Sequence, residues 1–218
     1  MDTIEFRNQY RKTEIGANYS GIGHLLFTTI SCLTVISVCL YNTNNIQKME
    51  WVIIPFSFLF GNFAEYFGHK GPMHHKRKYL EKVFTRHTLQ HHRFFSNDVM
   101  QCDGFRDFKM ILFPPVLFIF FFVMFALPVG SVLFLIWSKN VALLFIATVV
   151  GYFLNYEWFH LSYHLPKHHW ISRLPILRTL RRLHLNHHNP HLMQKFNFNI
   201  SYPIFDWIMG TYYQNKKQ

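Results

Sequence analysis

Ten of the fifteen histidines in this 218-residue chain fall into four spaced groups. His69 and His74 form the first, His87, His91 and His92 the second, His160 and His164 the third, and His184, His187 and His188 the fourth. Neutral imidazole is a nitrogen ligand for zinc, copper, iron or nickel. Residues three or four apart share one face of an α-helix. The spacing therefore predicts that His87 converges with His91, His160 with His164, and His184 with both His187 and His188. A doubled histidine, turned about 100° further round, points to a second centre. Zinc closes at four ligands, so ten convergent imidazoles exceed what one ion uses. Two metal ions are the economical reading, and donor chemistry alone leaves the metal open.

Gly71 and Pro72 interrupt the first group, so the helix carrying His69 is expected to stop near Lys70, with a bend bringing His74 back. That geometry makes His75 an alternative ligand or a neighbour that supports one. Glu65 precedes His69 by four residues and Glu157 precedes His160 by three, about one helical turn each. A carboxylate there accepts the other ring N–H and sets the tautomer. No histidine is followed by glutamate, which excludes the His-Glu-x-x-His protease motif. A ferritin-like di-iron site asks for two Glu-x-x-His motifs and two further glutamates. Only Glu157 and His160 have that spacing, so carboxylate-rich iron is disfavoured.

The elements that must hold these groups are apolar. Half of the residues are hydrophobic and 15% are charged, against roughly 25% charged in soluble domains. Leu25 to Gln47, Ile111 to Ser138 and Asn140 to Tyr156 carry no charge, and Trp51 to Gly68 carries only Glu65. A membrane helix takes roughly 20 such residues. Spans are expected at about 22–41, 51–68, 114–137 and 140–161. Pro114 and Pro115 open the third, and Pro128 and Gly130 bend it. No cleavable signal is expected, because Arg7, Arg11, Lys12 and Glu14 precede an apolar run without a small-residue cleavage site. Four spans put both termini on one side, with the histidine-rich regions 69–110 and 162–218. That side holds every Lys and Arg except Lys48 and Lys139, which makes it cytoplasmic by the positive-inside rule. The expected fold is all-α: an integral membrane four-helix bundle of two transmembrane hairpins with a helical cytoplasmic histidine-rich cap, one domain over 1–218.

Cys32 and Cys39 sit in an apolar stretch and Cys102 in a polar loop, so no disulfide framework or zinc ribbon is expected. The net charge of +11 comes without a recognition helix or finger spacing. Anionic headgroups, not nucleic acid, are the expected counterpart.

Four such boxes in order resemble the fatty acid hydroxylase superfamily, membrane di-iron proteins that include sterol desaturase-like enzymes. The resemblance runs from about Gly61 to Tyr212. Its first box lies in Glu65-Tyr66-Phe67-Gly68-His69, and its second is followed by Phe113-Pro114-Pro115. The third lies in Tyr156-Glu157-Trp158-Phe159-His160, and the fourth is followed by Phe205-Asp206-Trp207 and Gly210-Thr211. The second box with its Pro-Pro sequel looks most like the fatty acid 2-hydroxylase branch. Three departures stand out: three residues instead of two between His87 and the pair, the Gly71-Pro72 break, and an Asp206-Trp207 order that is reversed in relatives.

The resemblance implies that the ten box histidines bind two iron ions, which zinc can replace in purified protein, and that O2 is co-substrate. It implies hydroxylation of an unactivated C–H of a lipid, above all a fatty acyl chain. The lipid arrives from the bilayer, and Phe67, Tyr152, Phe153 and Trp158 are candidates for its path. No haem domain fits in the chain, so a separate donor, cytochrome b5-like or a ferredoxin with its reductase, is expected. Lipid or sterol desaturation and carotenoid hydroxylation are alternatives within the superfamily. A histidine-rich metal transporter or sensor is the rival of another class; it calls for polar or acidic residues at mid-bilayer, whereas these spans are apolar up to their histidine-bearing ends.

Overall fold

A computed structural model describes residues 1–215, and every regular element among them is a helix. The last three residues of the expected cap, 216–218, lie outside the described residues. The chain forms two compact units: Met1–Ile22, Asn62–Leu112 and Trp158–Gln218 in one, Gly23–Gly61 and Phe113–Glu157 in the other.

The second unit is the apolar one. Its core joins Cys32 and Cys39 to Ile53, Phe118, Leu144 and Val150. Among the described residues three helical stretches are long and apolar enough to cross a membrane: Gly21–Tyr41, Phe105–Ile136 and Lys139–His164. They cover the first, third and fourth expected spans, and the chain is a membrane protein. The second expected span corresponds to the helix Ile53–Gly68, whose 16 residues rise about 24 Å. Where the third span was expected to bend, Pro128 has no N–H for the carbonyl four residues earlier. The helix widens into a π-turn at Phe122–Ala126 before resuming at Leu127. Gly130 serves packing: a Cβ there would lie 2.7 Å from Ile146 Cδ1.

Both short turns of this unit meet at one carboxylate. Glu50 accepts from the Gln47 N–H (2.7 Å), from Asn140 Nδ2 (3.0 Å) and from the Ser138 hydroxyl. Those bonds, Ser138's first, hold its carboxyl below the usual range.

The other unit begins with a helix that the apolar pattern did not announce, Thr3–Thr13, closed by an Asp2–Glu5 capping box. Its Arg7, 1% exposed, donates to Asp107 Oδ2 (3.2 Å) and the Gln101 carbonyl (2.9 Å), with its guanidinium 4.9 Å from the centre of the Phe94 ring. Arg11 forks onto both oxygens of Asp107 at 2.8 Å and reaches Asp103 at 2.7 Å. A buried guanidinium is tolerable because carboxylate and ring face share its charge. This clamp fastens the 94–107 segment, which carries two of the carbonyls used below.

Candidate metal centre

Local helix geometry distributes the ten box histidines. The helix through His69 does not stop near Lys70. Pro72 leaves the Gly68 carbonyl without its α-helical donor, and the ladder widens into a π-turn, His69–Met73, with His74 as its last cap. That wider turn brings His74 Nε2 to 3.2 Å from His69 Nε2. His75 is exposed, hydrogen-bonds the Lys70 carbonyl through Nδ1 at 2.6 Å, and belongs to neither histidine group.

The second box lies on another π-turn, Thr85–His91. His87 and His91 remain stacked with ring centres 5.3 Å apart, but within this wider turn His87 Nε2 comes to 3.2 Å from His92 Nε2, so His87 shares a cluster with His92 and not, as α-helical spacing predicted, with His91. The additional residue of this box is absorbed by the wider turn. In the third box His160 and His164, four apart on Lys139–His164, have ring centres 5.1 Å apart. In the fourth, His184 and His188 come within 3.1 Å. His187 departs from the expected three-way convergence and faces His74 at 2.9 Å.

Two clusters result. His69, His74, His87, His92 and His187 form one, and His91, His164, His184 and His188 the other, with ligand atoms of each cluster within 4.8 Å of one another. His160 adjoins the second, its Nε2 3.3 Å from that of His91. Boxes two and four contribute to both clusters, and His92 stacks on His188 across them with ring centres 4.2 Å apart.

Backbone carbonyls settle the tautomers. Nδ1 of His69 meets the Phe198 oxygen at 2.6 Å; those of His91, His164 and His187 meet the oxygens of Met110, Met100 and Phe196 at 2.9 Å each; that of His188 meets the Phe95 oxygen. A carbonyl only accepts, so each of these Nδ1 atoms carries the proton and each Nε2 presents a bare lone pair. His91 and His188 are both committed in this way, yet their Nε2 atoms lie 3.2 Å apart. Neither can donate to the other, and two facing lone pairs at that distance are favourable only with a cation between them. The all-imidazole donor set fits iron, zinc, copper or nickel.

At His69 the Phe198 carbonyl holds the place expected for Glu65. Glu65 accepts from Ser201 N–H (2.9 Å), Ser201 Oγ (2.5 Å) and the Ile200 N–H, and so pins the loop after Phe198. Glu157 accepts from the Phe113 N–H at 3.1 Å. Cys102, expected in a polar loop, is buried; its N–H donates to the His164 carbonyl at 2.8 Å, and burial pushes its thiol up to about 11.

Burial also keeps the imidazoles neutral. It is the first cause that lowers His69, His74, His87, His92, His184 and His188 below the ordinary histidine range, with neighbouring imidazoles adding to it. His91 falls to about 3 and His187 to about 4, each partly offset by its carbonyl bond. Ligands in this state shed no proton on binding metal.

Asp206 is the functional residue that spacing missed. Fully buried, it accepts from the Phe198 N–H (2.9 Å), the Asn199 N–H (2.8 Å) and Thr211 Oγ1 (2.7 Å). Burial raises its carboxyl, against the pull of those donors. It thereby fixes the peptide whose carbonyl orients His69. A signal was present: it is the first acid after Glu157. Asp206→Ala is expected to cost about 2–5 kcal/mol of stability through the orphaned N–H groups and to weaken metal binding about 10–100-fold. Thermal melting and metal titration of the detergent-solubilised protein check both; unchanged metal affinity would remove Asp206 from the centre.

The four aromatic residues considered for a lipid path divide. Phe67 and Trp158 are exposed. Tyr152 is buried and packs edge-on against Phe58 at 5.3 Å, and Phe153 packs against Phe118 at 5.5 Å.

A family model for fatty acid hydroxylase matches residues 54–211, more than half of the chain and all ten box histidines. The chain belongs to the fatty acid hydroxylase family. Among solved structures it is similar to full-length Scs7p, of which only the hydroxylase domain is visible, at 20% identity and a TM-score of 0.58 over 87% of this chain and 67% of that one. At that identity the likeness concerns the fold. No curated protein sequence is significantly similar. The family match starts after the Arg7–Asp107 clamp helix, which makes that helix a feature of this hydroxylase outside the matched region.

Proposed function

We propose that this hydroxylase is a di-iron oxygenase that converts an unactivated C–H of a lipid, foremost a fatty acyl chain, to an alcohol: R–H, O2, two electrons and two protons give R–OH and water. The observation that carries the metal reading is the His91–His188 pair, two bare Nε2 atoms 3.2 Å apart with both ring protons committed elsewhere. The family membership supports the reaction class. His69, His74, His87, His92 and His187 would hold one iron, and His91, His164, His184 and His188, with His160 alongside, the other. Iron at these ligands supplies the oxidising power that no side chain has. The chain contributes neutral donors, carbonyls that set ring orientation, and burial that excludes water from the reacting atoms.

The proposed setting is a four-span protein of two hairpins with both termini and the histidine-rich region cytoplasmic. The distribution of Lys and Arg supports it, as does the bonding of both short turns to Glu50. Electrons come from a separate cytochrome b5-like protein or a ferredoxin with its reductase. For the acyl chain we retain Phe67 and Trp158, each exposed and two residues ahead of a box histidine.

Mass spectrometry of total lipids from cells with and without the protein tests the reaction. A hydroxylated lipid should appear with the native chain and vanish with His187→Ala; a product that survives the substitution sinks the metal-centre reading. A new double bond without a hydroxyl would reassign the chain as a desaturase.

A further inference from the structure

A second surface, in the same unit as the histidines, takes no part in their centre. Between Glu157 and Asp206 the chain has no acid and six basic residues: Lys167, Arg173, Arg178, Arg181, Arg182 and Lys195. Within that stretch Trp170, Leu174 and Ile176 stand 67%, 45% and 69% exposed, interleaved with exposed Lys167, Arg173 and Arg178.

The local backbone explains the exposure. Pro166 and Pro175 flank a short 3-10 turn, Trp170–Arg173, capped where the Ile171 N–H donates to His169 Nδ1 at 3.3 Å. Pro175 then opens the helix Pro175–His187. That helix turns Leu180, Leu183, His184 and His187 inward and leaves its first turn outside.

Leaving large apolar side chains in water forgoes a substantial hydrophobic gain. A tryptophan with aliphatic neighbours and only cationic companions is the composition of a segment lying in a bilayer interface. Trp170 also follows His164, the last residue of a candidate span, by six positions, which is about 20 Å of fully extended chain. An acidic soluble partner would satisfy the charges, but it has no such covalent proximity to the segment.

We infer that residues 167–178 form a docking surface for anionic lipid: Trp170, Leu174 and Ile176 enter the interfacial layer while Lys167, Arg173 and Arg178 meet headgroup phosphates. The inference rests on the membrane reading above. It would hold the first turn of the helix that carries the fourth histidine box against the bilayer.

The test uses the full chain in nanodiscs whose acyl chains carry bromine near the headgroup, made of phosphatidylcholine alone or with phosphatidylserine. Emission from Trp170 is taken as the difference from Trp170→Phe, and emission from Trp137, on the apolar unit, as the difference from Trp137→Phe. Both should be quenched, Trp170 more strongly with phosphatidylserine. Each of Arg173→Gln and Arg178→Gln should lower the ratio of seated to free segment about fivefold. Quenched Trp137 with unquenched Trp170 overturns the docking surface and leaves the membrane reading standing; neither quenched overturns both. Trp170 unmoved by lipid but shielded by added soluble cytochrome b5 makes this a protein interface and equally overturns the inference.

Discussion

His188→Ala is expected to empty one metal position, leave about one iron per chain, and abolish hydroxylation. His92→Ala should do the same through the other position. Their rings stack 4.2 Å apart yet belong to different clusters. Metal binding of about 10–16 kcal/mol shared among the four or five imidazoles of a cluster is roughly 2–4 kcal/mol per ligand, or a factor of about 30 to 1,000 in affinity for each ligand removed. Chemistry that needs two metals ends when either leaves. Metal content after mild chelation, with a spectroscopic measure of iron–iron coupling, reads the result, and His75→Ala is the control that should match the native protein. If His188→Ala kept two coupled irons, the assignment of the second cluster would be wrong.

Acid should destabilise the metal-free protein more steeply than an ordinary helical protein. Unfolded histidines titrate near 6.5, while in the folded chain His91 and His187 hold to about 3 and 4. Above 6.5 neither state binds these protons, and the full stability is present. As the pH falls below 6.5 the unfolded chain gains protons that the folded chain refuses, so stability drops until the folded values are reached. Two such groups tilt stability by about 3 kcal/mol per pH unit, against a total of about 5–15 kcal/mol for a typical domain, and the other lowered histidines add to the slope. Melting of chelator-treated protein in detergent at pH 8, 6.5 and 5 checks this. A melting temperature that is flat or rises toward acid would mean that the imidazoles are not buried and neutral.

Much of this was legible in residue types and spacing. The uncharged runs Leu25 to Gln47, Ile111 to Ser138 and Asn140 to Tyr156 overlap the helical stretches Gly21–Tyr41, Phe105–Ile136 and Lys139–His164, because apolar length is a local property. The box histidines and the scarcity of acids pointed to imidazole-bound metal, since ligand chemistry resides in the side chains. Partnership within the boxes was not legible. A 3.6-residue period puts His87 and His91 at one centre, but with the π-turn at Thr85–His91, His87 joins the cluster of His92 while His91 joins the other. Whether a helix takes up an extra residue depends on what its neighbours fill, not on its own pattern. The tautomers depended likewise on carbonyls distant in sequence, those of Phe198, Met110, Met100, Phe196 and Phe95. A backbone oxygen is common to every residue, so nothing in a side-chain pattern marks the ones that will orient a ligand. Composition and period thus established the metal-binding character and the apolar helices, while long-range packing assigned each imidazole to its cluster and held its proton in place.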